Sequence, residues 1–314
     1  MKRCYLVFVF AVLLTGLLRA QGDGPRAFLL APKGLWGLNP KWMNMSQNLL
    51  PSGNILIKNA DIKVNVFPTT AFHTFGIKGR FAQILLMVNP GSASGNVVAS
   101  EPGISVPQVN ASGFSDGFIG FKLGLIGAPA LNVMDFTNHT PAFSMTAYFR
   151  LWYSGSYNNS KPLNLGTNRF TFEFGFPLAI PFSENPKRET WLEIYPSLQI
   201  YTSNNDPTLI TRADKSHQQP LLLLENHLTH NFTDKFWAGA DLRYQYGGVL
   251  ELDDVKQDNK INILGGGISA GYQLLPFLSG NASYGGILKG DNGARSEMFR
   301  VGVVFVYVNT KKTD

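Results

Sequence analysis

Residues 169 to 180 read RFTFEFGFPLAI. Phe170, Phe172, Phe174, Phe176, Leu178 and Ile180 take every second position, and Arg169, Thr171, Glu173 and Gly175 lie between them. A period of two puts the two sets on opposite faces of an extended chain, which predicts a β-strand with one apolar and one polar face. The pattern recurs over 236–246, where Phe236, Ala238, Ala240, Leu242, Tyr244 and Tyr246 oppose Trp237, Gly239, Asp241, Arg243 and Gln245. It recurs again where Leu192, Ile194, Leu198 and Ile200 alternate with Glu193, Ser197 and Gln199, and where Phe299, Val301, Val303, Phe305 and Tyr307 alternate with Arg300 and Gly302.

Weaker alternation covers 35–45, 61–67, 80–90, 118–126, 143–152, 221–232, 261–274 and 277–288. The total is roughly twelve strands. Turn-forming clusters separate them at Gly76 to Arg80, Gly91 to Gly95, Tyr153 to Lys161, Glu184 to Arg188, Asn204 to Pro207, Leu252 to Asn259 and Lys289 to Arg295. A soluble β-barrel turns its apolar rows inward. Here those rows are so complete that the polar rows are left to line the interior, as in a barrel whose outside meets lipid. Aromatics at Trp36, Trp42, Trp152, Tyr153, Trp191, Tyr201, Trp237 and Tyr307 lie near strand ends and are expected to form interfacial girdles.

The beginning of the chain sets the compartment. Lys2 and Arg3 precede an apolar stretch from Tyr5 to Leu18, followed by small residues at Ala20 and Gly22, which is the layout of an export signal. Residues 1–22 are therefore expected to be cleaved, leaving 23–314 as one barrel domain, with the Gly- and Pro-bearing segment 23–34 in the lumen or the periplasm. Cys4 falls in the leader, so the exported chain is expected to carry no thiol. Without Lys2, Arg3 and Arg19, 24 of the 27 basic residues remain against 21 acidic ones, a balance that leaves no footprint for nucleic acid. Charged residues make up 15% of the chain, with 32 glycines and 23 phenylalanines, a bias suited to strands with an apolar outer face.

The polar rows hold the candidate lumen-lining residues: Lys63, Lys122, Arg150, Arg169, Glu173, Glu193, Glu225, Asp241, Arg243 and Arg300, with Tyr148, Tyr195 and Trp237 on the same inner faces. They either hold a solute's polar group in a conduit or pair across the strands and fill the interior. His227 and His230 have an H-x-x-H spacing. Three positions along a strand reverse the face, so one metal cannot take both, and no metal site or cofactor is expected. Gly247-Gly248 and Gly265-Gly266-Gly267 read as close strand approach, not phosphate loops. No G-x-S-x-G or other nucleophile constellation stands out, so no enzyme activity is expected. A lipid-modifying enzyme, or a surface barrel that binds a partner through loops such as 97–114, are the alternatives.

Several phrases then resemble a known family: GFKLGLIGAPAL at Gly120 to Leu131, LNLGTNRF at Leu163 to Phe170, YTSNND at Tyr201 to Asp206, QPLLLLENHL at Gln219 to Leu228 and DLRYQYGG at Asp241 to Gly248. In this order they resemble the bacterial family described as putative MetA-pathway of phenol degradation, from about Ala60 to Tyr307. The resemblance implies an all-β, antiparallel transmembrane β-barrel in the bacterial outer membrane. It also implies movement of small, aromatic or hydrophobic solutes; with no nucleotide site or plug motif in the sequence, passage is expected to be passive, with outer-membrane lipid as the surrounding partner.

Overall fold

The computed structural model describes residues 23–50, 55–56, 60–96, 108–183, 188–208 and 211–308. The expected leader, and 97–107 of the expected loop 97–114, lie outside them. Twelve antiparallel strands follow one another around the wall: β1 (Leu35–Gln47), β2 (Asp61–Val66 and Thr69–Ile77), β3 (Arg80–Asn96), β4 (Val109–Ile126), β5 (Ser144–Tyr153), β6 (Thr171–Gly175 and Leu178–Pro181), β7 (Thr190–Tyr201), β8 (Leu221–Asn231), β9 (Phe236–Gly247), β10 (Ile261–Leu275), β11 (Leu278–Gly290) and β12 (Ser296–Val308). Each pairs with the next. β12 pairs with β1 from Leu35↔Val308 to Gln47↔Ser296, which closes the barrel. Closure leaves no edge strand, so the backbone groups of the wall find partners without water.

Outside Asp61–Val66, where the two faces are exchanged, the expected alternation is the observed one. Glu173, Glu193 and Asp241 are buried inside, while Leu222, Leu242 and Ile268 on the outer face are 55%, 47% and 50% exposed. An apolar belt of this extent would drive association in water, whereas in a bilayer it meets acyl chains. Trp36, Trp42 and Tyr307 lie in the outer belt as expected. Trp152, Trp191, Tyr201 and Trp237 do not: their positions share the inner face with Arg150, Glu193 and Asp241. The polar ends of Trp152 and Tyr201 find partners in the lumen, with Trp152 Nε1 donating to Glu173 and Tyr201 Oη to Gln199.

Two expected turns are revised. The cluster Gly76 to Arg80 shrinks to Lys78-Gly79, both at positive φ, the two-residue turn that suits strand twist. Gly91 to Gly95 is strand, paired with β2 from Gly91↔Val66 to Gly95↔Ile62. A Cβ on Gly91 would come within 2.3 Å of the Asn65 carbonyl oxygen, so glycine here marks close strand approach and not a bend. The strand expected over 61–67 continues after a break at Phe67-Pro68 to Ile77. Of the loop expected at 97–114, Val109–Phe114 belong to β4.

The end holding Leu35 and Val308 also carries the links at 78–79, 127–143, 232–235 and 276–277, and of the expected turn Glu184 to Arg188, residues 184–187 lie outside the described residues. The 127–143 link includes a short helix, α1 (Val133–Thr137), whose Asn132 side chain accepts from Asp135 N. The opposite, loop end carries the links at 154–170, 202–220 and 248–260. There the LNLGTNRF segment folds inward: Leu163 and Leu165 are buried against Ile62, Val64, Val66 and Ala93. Asp116 accepts from Gly155 N, Thr167 N and Thr167 Oγ1, and Asn168 reaches Asn204 of the YTSNND segment at 2.8 Å. Both phrases thus hold loops to one another across the loop end.

Candidate functional site

The segment 23–34 has no periodicity, and it enters the lumen as a strap across the interior. Within it, Asp23 places Oδ1 2.7 Å from Arg150 Nη1 on β5. Arg150 also pairs with Glu173 of β6, whose two oxygens accept from Tyr195 Oη (2.8 Å), Gln199 Nε2 (2.9 Å) and Trp152 Nε1 (3.0 Å). The rings of Tyr148 and Trp152 lie 4.8 and 5.2 Å from the Arg150 guanidinium carbon. A buried charge persists only where partners of this kind replace water, and each member here has several. Burial pushes the Asp23 carboxyl up, but the charges of Arg150, Lys122 and Lys41 outweigh it and hold the group below the usual carboxylate range.

The strap is fixed at more points along its length. Asp23 N donates to Glu225 on β8 at 3.1 Å, and Arg300 of β12 donates from Nη1 to Asp23 O and from Nε to Ser283 Oγ. Gly24 has a φ of +92°, which favours glycine, and a Cβ there would meet Arg300 Nη2 at 2.2 Å, so a larger residue would have to displace the guanidinium. Glu193 of β7 accepts from Arg26 N (2.6 Å) and Phe28 N (2.8 Å). The Arg26 guanidinium lies 4.8 Å from the Trp237 ring, and Phe28 packs 4.6 Å from Tyr195. Lys122 Nζ donates to Ala27 O at 2.7 Å. Thr74 ties down the exit, donating to Pro32 O and accepting from Leu35 N.

The strap divides the lumen. An upper cavity of about 360 Å³, toward the loop end, is lined by Arg169 and Arg243 among others. A lower cavity of about 330 Å³ lies against the strap and is lined by Lys122, Tyr148, Trp237 and Arg300. Arg150, Glu193, Tyr195 and Glu225 contact residues 23–28 of the strap, and Glu173 and Asp241 join this layer through Arg150 and His227. Lys63 is the correction: it is exposed, because its β2 neighbours Ile62 and Val64 take the inner face beneath the LNLGTNRF segment.

Side chains outside the candidate lumen-lining set complete the layer. Asp23, Arg26 and Phe28 carried no signal, since nothing local distinguishes a strap from a linker. His227 is buried with Nδ1 2.6 Å from Asp241 Oδ1, and Ser269 donates to the other oxygen of Asp241. His230 faces outward against Phe232, so the two histidines lie on opposite faces as the spacing predicts. Among the described residues no group of three His, Cys, Asp or Glu side chains is arranged to hold a metal ion.

Known structures share this architecture. The crystal structure of the COG4313 outer membrane channel from Pseudomonas putida F1 superposes with a TM-score of 0.73 at 15% identity, over 91% of this chain and 100% of that one. The beta domain of the Bordetella autotransporter BrkA gives a TM-score of 0.51 at 11% identity, over 87% of this chain and 99% of that one. At these identities the likeness is one of fold, that of an outer-membrane barrel. Among curated proteins none matches the chain by sequence. The model of the family described as "Putative MetA-pathway of phenol degradation" matches residues 59–303, which include every strand from β2 through β11, and the chain belongs to that family.

Proposed function

We propose that this protein is a bacterial outer-membrane conduit for the passive passage of small, aromatic or hydrophobic molecules, exported on residues 1–22, in which the strap acts as the gate. The observation that carries this reading is the division of the lumen into two cavities by a segment held through side-chain contacts and not by strand pairing. Such a segment leaves the lumen without unmaking the wall. The two- and four-residue links at 78–79, 276–277 and 232–235 support a periplasmic position for the end with Leu35 and Val308, although the 127–143 link there is long. The lower cavity includes Leu29, Leu30, Phe72, Phe118, Tyr148 and Trp237, a lining suited to apolar rings. The candidate inner residues then act together as anchors of the strap and as the polar wall of the path. The channel named in the Pseudomonas putida structure supports the same class of role.

Single-channel recording of the purified protein in a planar bilayer, beside a variant lacking residues 23–33, tests this. The full chain is expected to give small or intermittent openings, and the truncated one larger, steady conductance with transient block by small aromatic solutes. A truncated barrel that is folded but silent would overturn the reading.

One observation favours a second route. Around the irregular pairing between Met87 and Asn89, a depression in the outer wall lined by Val88, Phe114 and Tyr153 shares Asn89 and Ser115 with the upper cavity. A hydrophobic solute leaving sideways would cross the wall here. Ser115→Trp is then expected to stop hydrophobic uptake into liposomes while ionic conductance stays unchanged.

A further inference from the structure

The upper cavity has an asymmetric lining. One side is apolar, formed by Leu49, Ile263 and Ile287 packed with the ring of Tyr201. The charged residues in the lining are Asp116, Arg169 and Arg243. The Asp116 carboxylate is engaged by Gly155 and Thr167, and with two guanidinium groups against this one carboxylate the lining is net cationic.

Neither arginine is fully used by the protein. Arg169 is 8% exposed, lies 4.4 Å over the Tyr201 ring and donates to Gln218, yet its Nε is buried without a hydrogen-bond partner. Arg243 has a single ionic contact among the described residues, Nε to Glu225 Oε1 at 3.4 Å, and that Nε also lacks a hydrogen bond. A buried donor without an acceptor is unfavourable, and a guanidinium is suited by shape to a planar carboxylate. Gln199 and Gln245 add neutral polar groups to the lining, and Trp152 adds a ring.

We infer that the upper cavity is a binding site for small organic carboxylates with a compact apolar body, an aromatic acid being the type that fits: the carboxylate toward Arg169 and Arg243, the ring toward Leu49, Ile263 and Ile287. This rests on the conduit reading, since the site sits on the outer side of the strap where an arriving solute is first held. Its volume lies within the range of small-molecule pockets.

The test is isothermal titration calorimetry of the full chain in detergent with benzoate and with benzyl alcohol, which keeps the ring and lacks the charge. Benzoate is expected to bind roughly tenfold more tightly than the alcohol. Arg243→Gln is expected to remove that preference, and Ile287→Trp, which fills the apolar wall, to weaken both ligands. Heat-modifiable gel migration identifies the variants that are folded. For the unaltered protein, raising sodium chloride from about 50 to about 500 mM is expected to weaken benzoate and leave the alcohol unchanged. Equal affinity for the two probes, or benzoate binding that ignores both salt and Arg243→Gln, overturns the site. Binding is read without a gradient, so the two readings fail separately. A protein that binds benzoate but passes no solute in liposomes keeps the site and loses the conduit; one that passes neutral solutes without preferring benzoate does the reverse.

Discussion

The Asp23 carboxylate and the Arg150 guanidinium meet at 2.7 Å, although 127 residues separate them in the chain. The contact joins a segment with no secondary structure to the middle of the barrel wall. Asp23→Ala removes the carboxylate that pairs with Arg150, while Arg150 keeps Glu173 and the barrel stays folded. The strap is expected to lose about 1.5–3 kcal/mol of docking free energy, the contribution of a hydrogen bond between charged groups. Single-channel recording should then show an open fraction higher by roughly tenfold or more.

Gly24→Val tests the same strap by shape. The added side chain meets the Arg300 guanidinium and must adopt a left-handed backbone, at a cost of roughly 1–3 kcal/mol for the backbone alone. Conductance is expected to rise, with the melting of the barrel unchanged.

Phe28→Ala removes the ring packed on Tyr195, beside Lys122. Loss of a buried phenylalanine costs about 3–5 kcal/mol in a well-packed site. Because the ring belongs to the strap, the loss is expected to appear as faster proteolytic or hydrogen-exchange access to residues 23–34, while exchange in β5 to β8 stays slow.

Asp116→Ala leaves the backbone donors of Gly155 and Thr167 without an acceptor. The 154–170 link is expected to loosen by roughly 1–3 kcal/mol. Limited proteolysis of intact cells or liposomes should cut it faster than in the unaltered protein.

Leu242→Arg places a charge in the apolar belt and is expected to destabilise the inserted barrel by about 2–4 kcal/mol, measured by denaturant unfolding in lipid. Lys63→Gln, by contrast, should leave stability and conductance unchanged, since that side chain is exposed outside the lumen.

The wall was legible because a strand's faces are written locally: Phe170 to Ile180 announce lipid on one side, and Glu173 announces the lumen on the other. Bulk and charge at period two need no tertiary information. The strap was not legible, since Asp23, Arg26 and Phe28 acquire their meaning only from Arg150, Glu193 and Tyr195, which sit on distant strands. Gly91 to Gly95 shows the converse: its composition favours a turn, and pairing to β2 overrides it. Lys63 fits the alternation, but Leu163 and Leu165 supply an apolar patch inside the lumen that reverses the expected polarity of β2 at that level. His227 sat on an inner row in plain view. Only the register that sets it opposite Asp241 gave it a partner.

Arg300 lies on the last strand and the strap precedes the first, so the strap's anchors come from both ends of the chain and much of what lies between. No subset of adjacent strands assembles them. The full set of anchors is therefore present only in a closed wall, in which β1 and β12 have met, so the seated strap joins the two sides of the seam through the lumen as their pairing joins them through the wall.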